Sequence, residues 1–249
     1  MSKRSINTIY FGKASKKQKK DSEKSKYIKE VKDDSDDEDS GDEQMPFPFP
    51  PNLFNQHADE KIYLEKNHLY FRTDVNDESI DSVRKLAREY ANKVQNMQRK
   101  DFLEVKPKPL VLHIHSPGGS VHAGFTLYDF LIEYNKHIPV YTIVEGVASS
   151  AATIISVAGE KRFITPNSYM LIHQLSTFMG GNYEQLKDEM DNCQKIMKRI
   201  ISIYTEHTNI DKKKLPDILK HDLYWDAKEC LKQGLVNEIR TIETFSKLD

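Results

Sequence analysis

Cysteine is nearly absent from this sequence. Cys193 and Cys230 are the only two in 249 residues, too few for a disulfide framework and in keeping with a reducing compartment. Neither sits in a metal-ligand pair. Long apolar runs are missing as well: none approaches the roughly 20 residues of a membrane span, and the N-terminus lacks the apolar stretch of a signal peptide. A transit peptide is disfavoured because such leaders are arginine-rich and poor in acids, so the expected location is cytoplasmic. There is no surplus of positive charge either. With 37 Lys and Arg against 38 Asp and Glu, the net charge of -1 argues against nucleic-acid binding as the chain's main business, since that rests on an excess of cations facing phosphates.

What charge there is lies segregated. Residues 13–32 are lysine-rich, whereas Asp33 to Glu43 holds eight acidic residues and no basic one. Such a polyampholyte buries too little apolar surface to offset its ordering entropy, so residues 1–44 are expected to be a disordered arm. A nuclear-import or partner-binding use of Ser15-Lys-Lys-Gln-Lys-Lys20 competes with the plainer reading of a solvated tail, which is preferred. Met45-Pro-Phe-Pro-Phe-Pro-Pro51 can continue neither a helix nor a central strand, and residues 45–60 read as an extended linker. The folded body is expected over 61–241, with 242–249 as a tail.

Within the body, 62–64 and 68–71 read as strands, and Asp77 opens a helix with an acidic first turn. A β-α alternation follows: strand 110–115, turn Ser-Pro-Gly-Gly, helix 121–136, strand 140–145, a second turn, helix 151–158. That order predicts crossovers and a mainly parallel sheet, an α/β fold whose sites lie where strand ends hand over to helix starts. A strand over 169–172, a glycine-bearing loop, a long amphipathic helix over 183–207, a short capped helix from Asp226 stopped by Gly234, and a last strand over 235–239 complete the expectation.

Two turns carry chemistry. In Gly146-Val-Ala-Ser-Ser150-Ala-Ala152 a nucleophile on a tight strand-to-helix turn needs small neighbours two positions either side. Ser150 has Ala148 and Ala152, whereas Ser149 has Val147. The plainer alternative is that both serines are helix caps. In Ser116-Pro-Gly-Gly119 the bare glycines leave backbone N–H groups unobstructed, and the amide of Gly118 could pair with that of Ala151 as an oxyanion hole; the alternative is an ordinary turn. His173, after four apolar or aromatic residues, emerges at a strand end as a candidate base, with a buried structural histidine as the alternative. His122 is a weaker rival, and Lys161 is the lysine a Ser-Lys dyad would use. His113 and His115 share a strand face, but no third ligand is signalled and no metal or other cofactor is expected. A carboxylate must orient the base, and spacing does not choose among Asp217, Asp222 and Asp226.

Ser116-Pro-Gly-Gly119, Gly146-Val-Ala-Ser-Ser150, Lys161-Arg-Phe with Pro166-Asn-Ser168, Met170-Leu-Ile-His173-Gln174 and Gly234-Leu-Val, in this order, resemble ClpP, the proteolytic subunit of the Clp protease, over about Lys61 to Ile239. The resemblance implies the ClpP/crotonase-like fold with a protruding handle helix, here the long helix after Tyr183. It puts the nucleophile on Ser150, the base on His173, the orienting carboxylate on Asp222, and the oxyanion amides on Gly118 and Ala151. Substrate would lie as an added strand along 175–182, with Gly119, Leu175 and Ser176 in contact with it. The family's stacked heptameric rings and AAA+ unfoldase partner are implied for the assembly, with peptides or unfolded proteins as substrate. The chain reads as a divergent member: Leu175 stands where the family usually has Pro, and Ala151-Ala152 where it usually has Met-Gly.

The resulting expectation is a serine endopeptidase. Two other classes compete: an acyl-CoA enzyme on the related crotonase fold, which needs no Ser150, His173 and Asp222 together, and an inactive ring-forming scaffold, against which an intact set of three argues.

Overall fold

The computed structural model describes residues 61–101 and 106–241; the arm, linker and tail expected at 1–44, 45–60 and 242–249 lie outside the described residues. Leu69 and Phe71 alternate with His68 and Tyr70, so β2 (His68–Phe71) buries one face and leaves the other partly open. A two-residue turn, Lys66-Asn67, with Lys66 in the left-handed region at φ 54°, folds β2 antiparallel against β1 (Ile62–Glu65). From β2 onward the main path of the sheet is parallel. β3 (Leu110–Ser116) lies beside β2, β4 (Val140–Ser149) beside β3, β5 (Lys161–Ile164) beside β4, and β8 (Glu238–Ile239) beside β5. β6 (Tyr169–Leu171) pairs parallel with β4 and antiparallel with β7 (Trp225–Asp226).

The crossovers are α1 (Asp77–Asp101), α2 (Val121–Tyr134) and α3 (Ala151–Val157). In α1 the buried side chains Ile80, Val83, Ala87, Tyr90 and Val94 recur at helical spacing and join one core with Leu127 and Leu131 of α2 and Ile154 of α3. Each of the Val, Leu and Ile side chains contributes about 1.5–3 kcal/mol on burial. α2 rests on α3 closely enough that a Cβ at Gly124 would lie 3.2 Å from that of Ala151. α4 (Tyr183–His207) opens with a capping box between Asn182 and Gln185, and buries Cys193, Ile200, Ile203 and Tyr204. Its first turns expose Tyr183, Leu186 and Met190. α5 (Leu215–Leu219) and α6 (Ala227–Lys232) complete the described chain.

β4 changes partners along its length. Tyr141–Val144 pair with Lys161–Ile164 of β5, and Val147–Ser149 pair with Tyr169–Leu171 of β6. The change occurs at Gly146 (φ 75°), where a Cβ would meet His115 Nδ1 at 2.5 Å and where the N–H donates to Ser168 Oγ. The β3–β4 register shifts across the same stretch, so the strand bends and carries its last three residues away from β5.

The architecture is α/β with a mainly parallel sheet, as the alternation predicts. Differences lie at the margins. β4 runs to Ser149 rather than 145, α1 continues through the polar stretch from Asn96, and α2 stops at Tyr134 rather than 136. There the Asn135 side chain takes over, donating to Ala158 O and accepting from the Val140 N–H. Leu235 and Val236 are buried outside any strand, leaving only Glu238–Ile239 as β8. β5, β7 and α5 have no counterpart in the sequence expectation.

Candidate active site

Ser150 is the single residue between β4 and α3. Its backbone sits at φ 59°, ψ −127°, a region non-glycine residues rarely occupy and which costs on the order of 1–3 kcal/mol. Ties on both sides hold it there. Its N–H donates to Leu171 O of β6 at 2.8 Å, and its carbonyl accepts from the Thr153 N–H at 2.9 Å and Thr153 Oγ1 at 2.6 Å. The hydroxyl makes no capping bond to α3, unlike the Asn182 side chain on α4, and Ser150 Oγ is buried with no hydrogen-bond partner among the described residues. Ser149, also buried, is an ordinary ladder residue opposite Leu171.

The two glycine-bearing turns are neighbours because Ser116 at the end of β3 is paired with Ala148. A Cβ at Gly118 (φ 95°) would lie 2.7 Å from Ser150 Cβ and 2.5 Å from Ser149 O, so only glycine fits against this serine. The Gly118 N–H donates to Ser116 Oγ at 3.2 Å within the turn. Gly119 forms a parallel bridge with Val75, whose carbonyl a Cβ there would meet at 2.3 Å.

His173 lies two residues beyond Leu171, the residue that holds the Ser150 N–H. Its Nδ1 is 3.0 Å from Asp222 Oδ1. The β6–β7 ladder explains this meeting: Tyr169 opposes Asp226 and Met170 opposes Trp225, and the same antiparallel register continued by three residues places His173 opposite Asp222. Burial pushes the imidazole below its usual value, and the charge and hydrogen bond of Asp222 pull the other way without restoring it. A neutral imidazole that donates to a carboxylate oxygen through Nδ1 carries its proton there and its lone pair on Nε2.

The rivals are occupied elsewhere. Asp217 pairs with Lys220 at 2.6 Å on α5, and Asp226 caps α6 by accepting from the Glu229 N–H. His122 is exposed on α2. His113 Nδ1 meets Glu145 Oε1 and His115 Nδ1 meets the Glu145 carbonyl, each at 2.8 Å. Among the described residues no group of three or more His, Cys, Asp or Glu could hold a metal ion. Lys161 pairs with Tyr141, nine residues before Ser150 along β4 and so roughly 25–30 Å from it. Leu175 is half-buried with its N–H on Met197 Sδ, and both it and Ser176 lie in the stretch 172–182, which is without helix or strand. Sequence reading does not single out Thr153; its one signal is a hydroxyl three positions after Ser150, the spacing at which it can bond back to that carbonyl.

The sequence profile of the Clp protease family matches residues 68–243. This chain belongs to the Clp protease family. It is 37% identical over 134 residues to ATP-dependent Clp protease proteolytic subunit 2 of Treponema denticola, 53% of this chain and 66% of that one. It is 35% identical over 130 residues to the ATP-dependent Clp protease proteolytic subunit of Deinococcus radiodurans, 51% of this chain and 63% of the relative. A longer match, 33% over 189 residues, covers 72% of this chain and 90% of ATP-dependent Clp protease proteolytic subunit 1 of Chlamydia pneumoniae. The chain thus spans slightly under two thirds of the length of the first two relatives. The observed fold fits a ClpP-like α/β protein. Among the described residues of this Clp protease family member no helix is long and apolar enough to cross a membrane.

Proposed function

We propose that this chain is a serine endopeptidase that cleaves peptides or unfolded proteins. The observation that carries the reading is the grouping, at the C-terminal ends of β3, β4 and β6, of a strained, buried Ser150, the glycine turn packed on its Cβ, and the His173–Asp222 pair tethered through β6. Ser150 Oγ attacks the peptide carbonyl carbon while its proton passes to His173 Nε2; Asp222 holds the tautomer and stabilises the imidazolium. The tetrahedral oxyanion is received by the amides of Ala151 and Gly118, the latter exchanging Ser116 Oγ for the substrate oxygen. Collapse breaks the C–N bond, the leaving amine takes the proton from His173, and water returns by the same route to free the acyl group from Ser150. No cofactor takes part.

Extended substrate lies along 175–182, next to Gly119, Leu175 and Ser176, where the backbone from 176 onward belongs to no strand. Assembly into stacked heptameric rings is supported by family membership and by the apolar side chains Tyr183, Leu186 and Met190, exposed on the first turns of α4. The relatives' names, ATP-dependent subunits, support an AAA+ unfoldase as the feeding partner. The cytoplasm is the proposed location.

Labelling with a fluorophosphonate probe tests the chemistry. The full chain should be labelled and Ser150→Ala should not; labelling that persists in Ser150→Ala sinks the assignment.

A further inference from the structure

Tyr204 is the largest fully buried side chain of the described residues, at 1% exposure in the second half of α4. For packing alone phenylalanine would serve; the hydroxyl costs free energy unless it is bonded. It is bonded, 2.6 Å from Thr153 Oγ1 on α3. A threonine hydroxyl has one hydrogen, and that hydrogen goes to the Ser150 carbonyl at 2.6 Å, so Tyr204 must be the donor in its own bond. The result is a directional chain: Tyr204 O–H to Thr153 Oγ1, then Thr153 O–H to Ser150 C=O.

That carbonyl belongs to the peptide unit whose other end is the Ala151 N–H. In a planar trans peptide the C=O and N–H point in opposite directions. Holding the oxygen toward α3 and α4 therefore turns the Ala151 N–H away from them, and the Ala151 nitrogen lies 3.2 Å from where a Gly118 Cβ would stand. Hydrogen bonds in series also polarise one another, which makes the amide hydrogen a stronger donor. We propose that Tyr204 and Thr153 are positioning residues that fix and polarise the Ser150–Ala151 peptide, so that its N–H meets the oxyanion formed during attack. The inference rests on the reading of Ser150 as nucleophile. Burial raises the Tyr204 phenol above its ordinary value, so the chain's first donor keeps its proton throughout the working pH range.

Thr153→Val keeps the shape and deletes the relay, Thr153→Ser keeps the hydroxyl, and Tyr204→Phe removes only the first donor. In the assembled full-length protein, Thr153→Val should lower kcat for a peptide substrate about tenfold, short of the 10²–10³ that deleting an oxyanion donor costs. KM and the acidic limb of the pH profile should not move. Inhibition by a peptide aldehyde, whose hemiacetal oxygen uses the same amide, should weaken by the same factor, and Thr153→Ser should restore both. Tyr204→Phe should show a smaller loss, about threefold, of the same kind. Unchanged kcat in Thr153→Val overturns the proposal, as does an equal loss in Thr153→Ser or a change confined to KM. If Thr153→Val fails to fold, Tyr204→Phe decides, and unchanged kcat and aldehyde affinity there overturn it. Activity remaining in Ser150→Ala would sink the nucleophile reading instead, a result separable from an active wild type with a silent Thr153→Val.

Discussion

His173 Nδ1 lies 3.0 Å from Asp222 Oδ1, yet the ends of that bond see different surroundings: the histidine side chain is 10% exposed and the aspartate side chain 45%. Burial favours the neutral ring, while the half-hydrated carboxylate pulls the other way. The acidic limb of kcat/KM should therefore fall below pH 6.5, the ordinary histidine value. Asp222→Asn removes the upward pull, so the limb should move to still lower pH while the plateau falls about a thousandfold or more through loss of the Nδ1–H tautomer. A pH–rate profile of both proteins checks this; a limb that moves to higher pH in the variant contradicts it.

Acid should also weaken the fold before the carboxylates titrate. His173 and His207 are both held below their unfolded value, His207 by burial first and by Arg162 second. The unfolded chain then binds protons first, so stability is complete above about pH 6.5 and declines as pH falls toward the folded-state values. Urea midpoints at pH 7.5 and 5.5 should differ in that direction, and His207→Gln should reduce the difference. A flat dependence counts against it.

Gly118→Ala should abolish peptidase activity, by at least about a hundredfold in kcat. The added carbon would fall 2.5 Å from Ser149 O and 2.7 Å from Ser150 Cβ at a φ of 95°, so the glycine turn and the serine must separate. Steady-state kinetics with a melting curve on the same sample makes the check, and full activity in a folded variant would refute it.

Arg162 donates to the carbonyls of His207, Leu235 and Gly234, tying the end of α4 to the segment before β8. Lysine cannot serve three carbonyls in one plane, and Arg162→Lys should cost about 1.5–3 kcal/mol of stability. Denaturant unfolding gives the value directly, and a loss below about 0.5 kcal/mol would show the fork to be dispensable.

Replacing Tyr183, Leu186 and Met190 together by lysine should lower the assembled mass in sedimentation while leaving the far-ultraviolet spectrum unchanged, because these side chains are exposed and contribute nothing to the subunit core. An unchanged mass would remove the α4 face from the assembly interface.

The alternation of apolar strands and amphipathic helices makes the parallel sheet readable, and neighbour size favours Ser150 over Ser149 as the proposed nucleophile. What stayed hidden was set by pairing rather than pattern. β5 begins Lys161-Arg162, two charged residues that mask a strand; their long side chains find a Tyr141 ring and three carbonyls. β7 is two residues long and carries no periodicity at all. Its register nevertheless brings Asp222 to His173 and leaves Asp217 and Asp226 with other partners, a distinction that spacing in the sequence does not make and the family resemblance does.

That register also restricts how such a site can drift over evolution. Neighbouring positions on extended backbone point to opposite faces, so an aspartate moved to 223, one step nearer β7, would face away from His173 even though the chain had shifted by only one residue. A point mutation cannot hand the carboxylate's task to its neighbour. Only an insertion or deletion in the connection between α5 and β7 could re-aim it, which makes the length of that connection, more than its composition, the inherited trait.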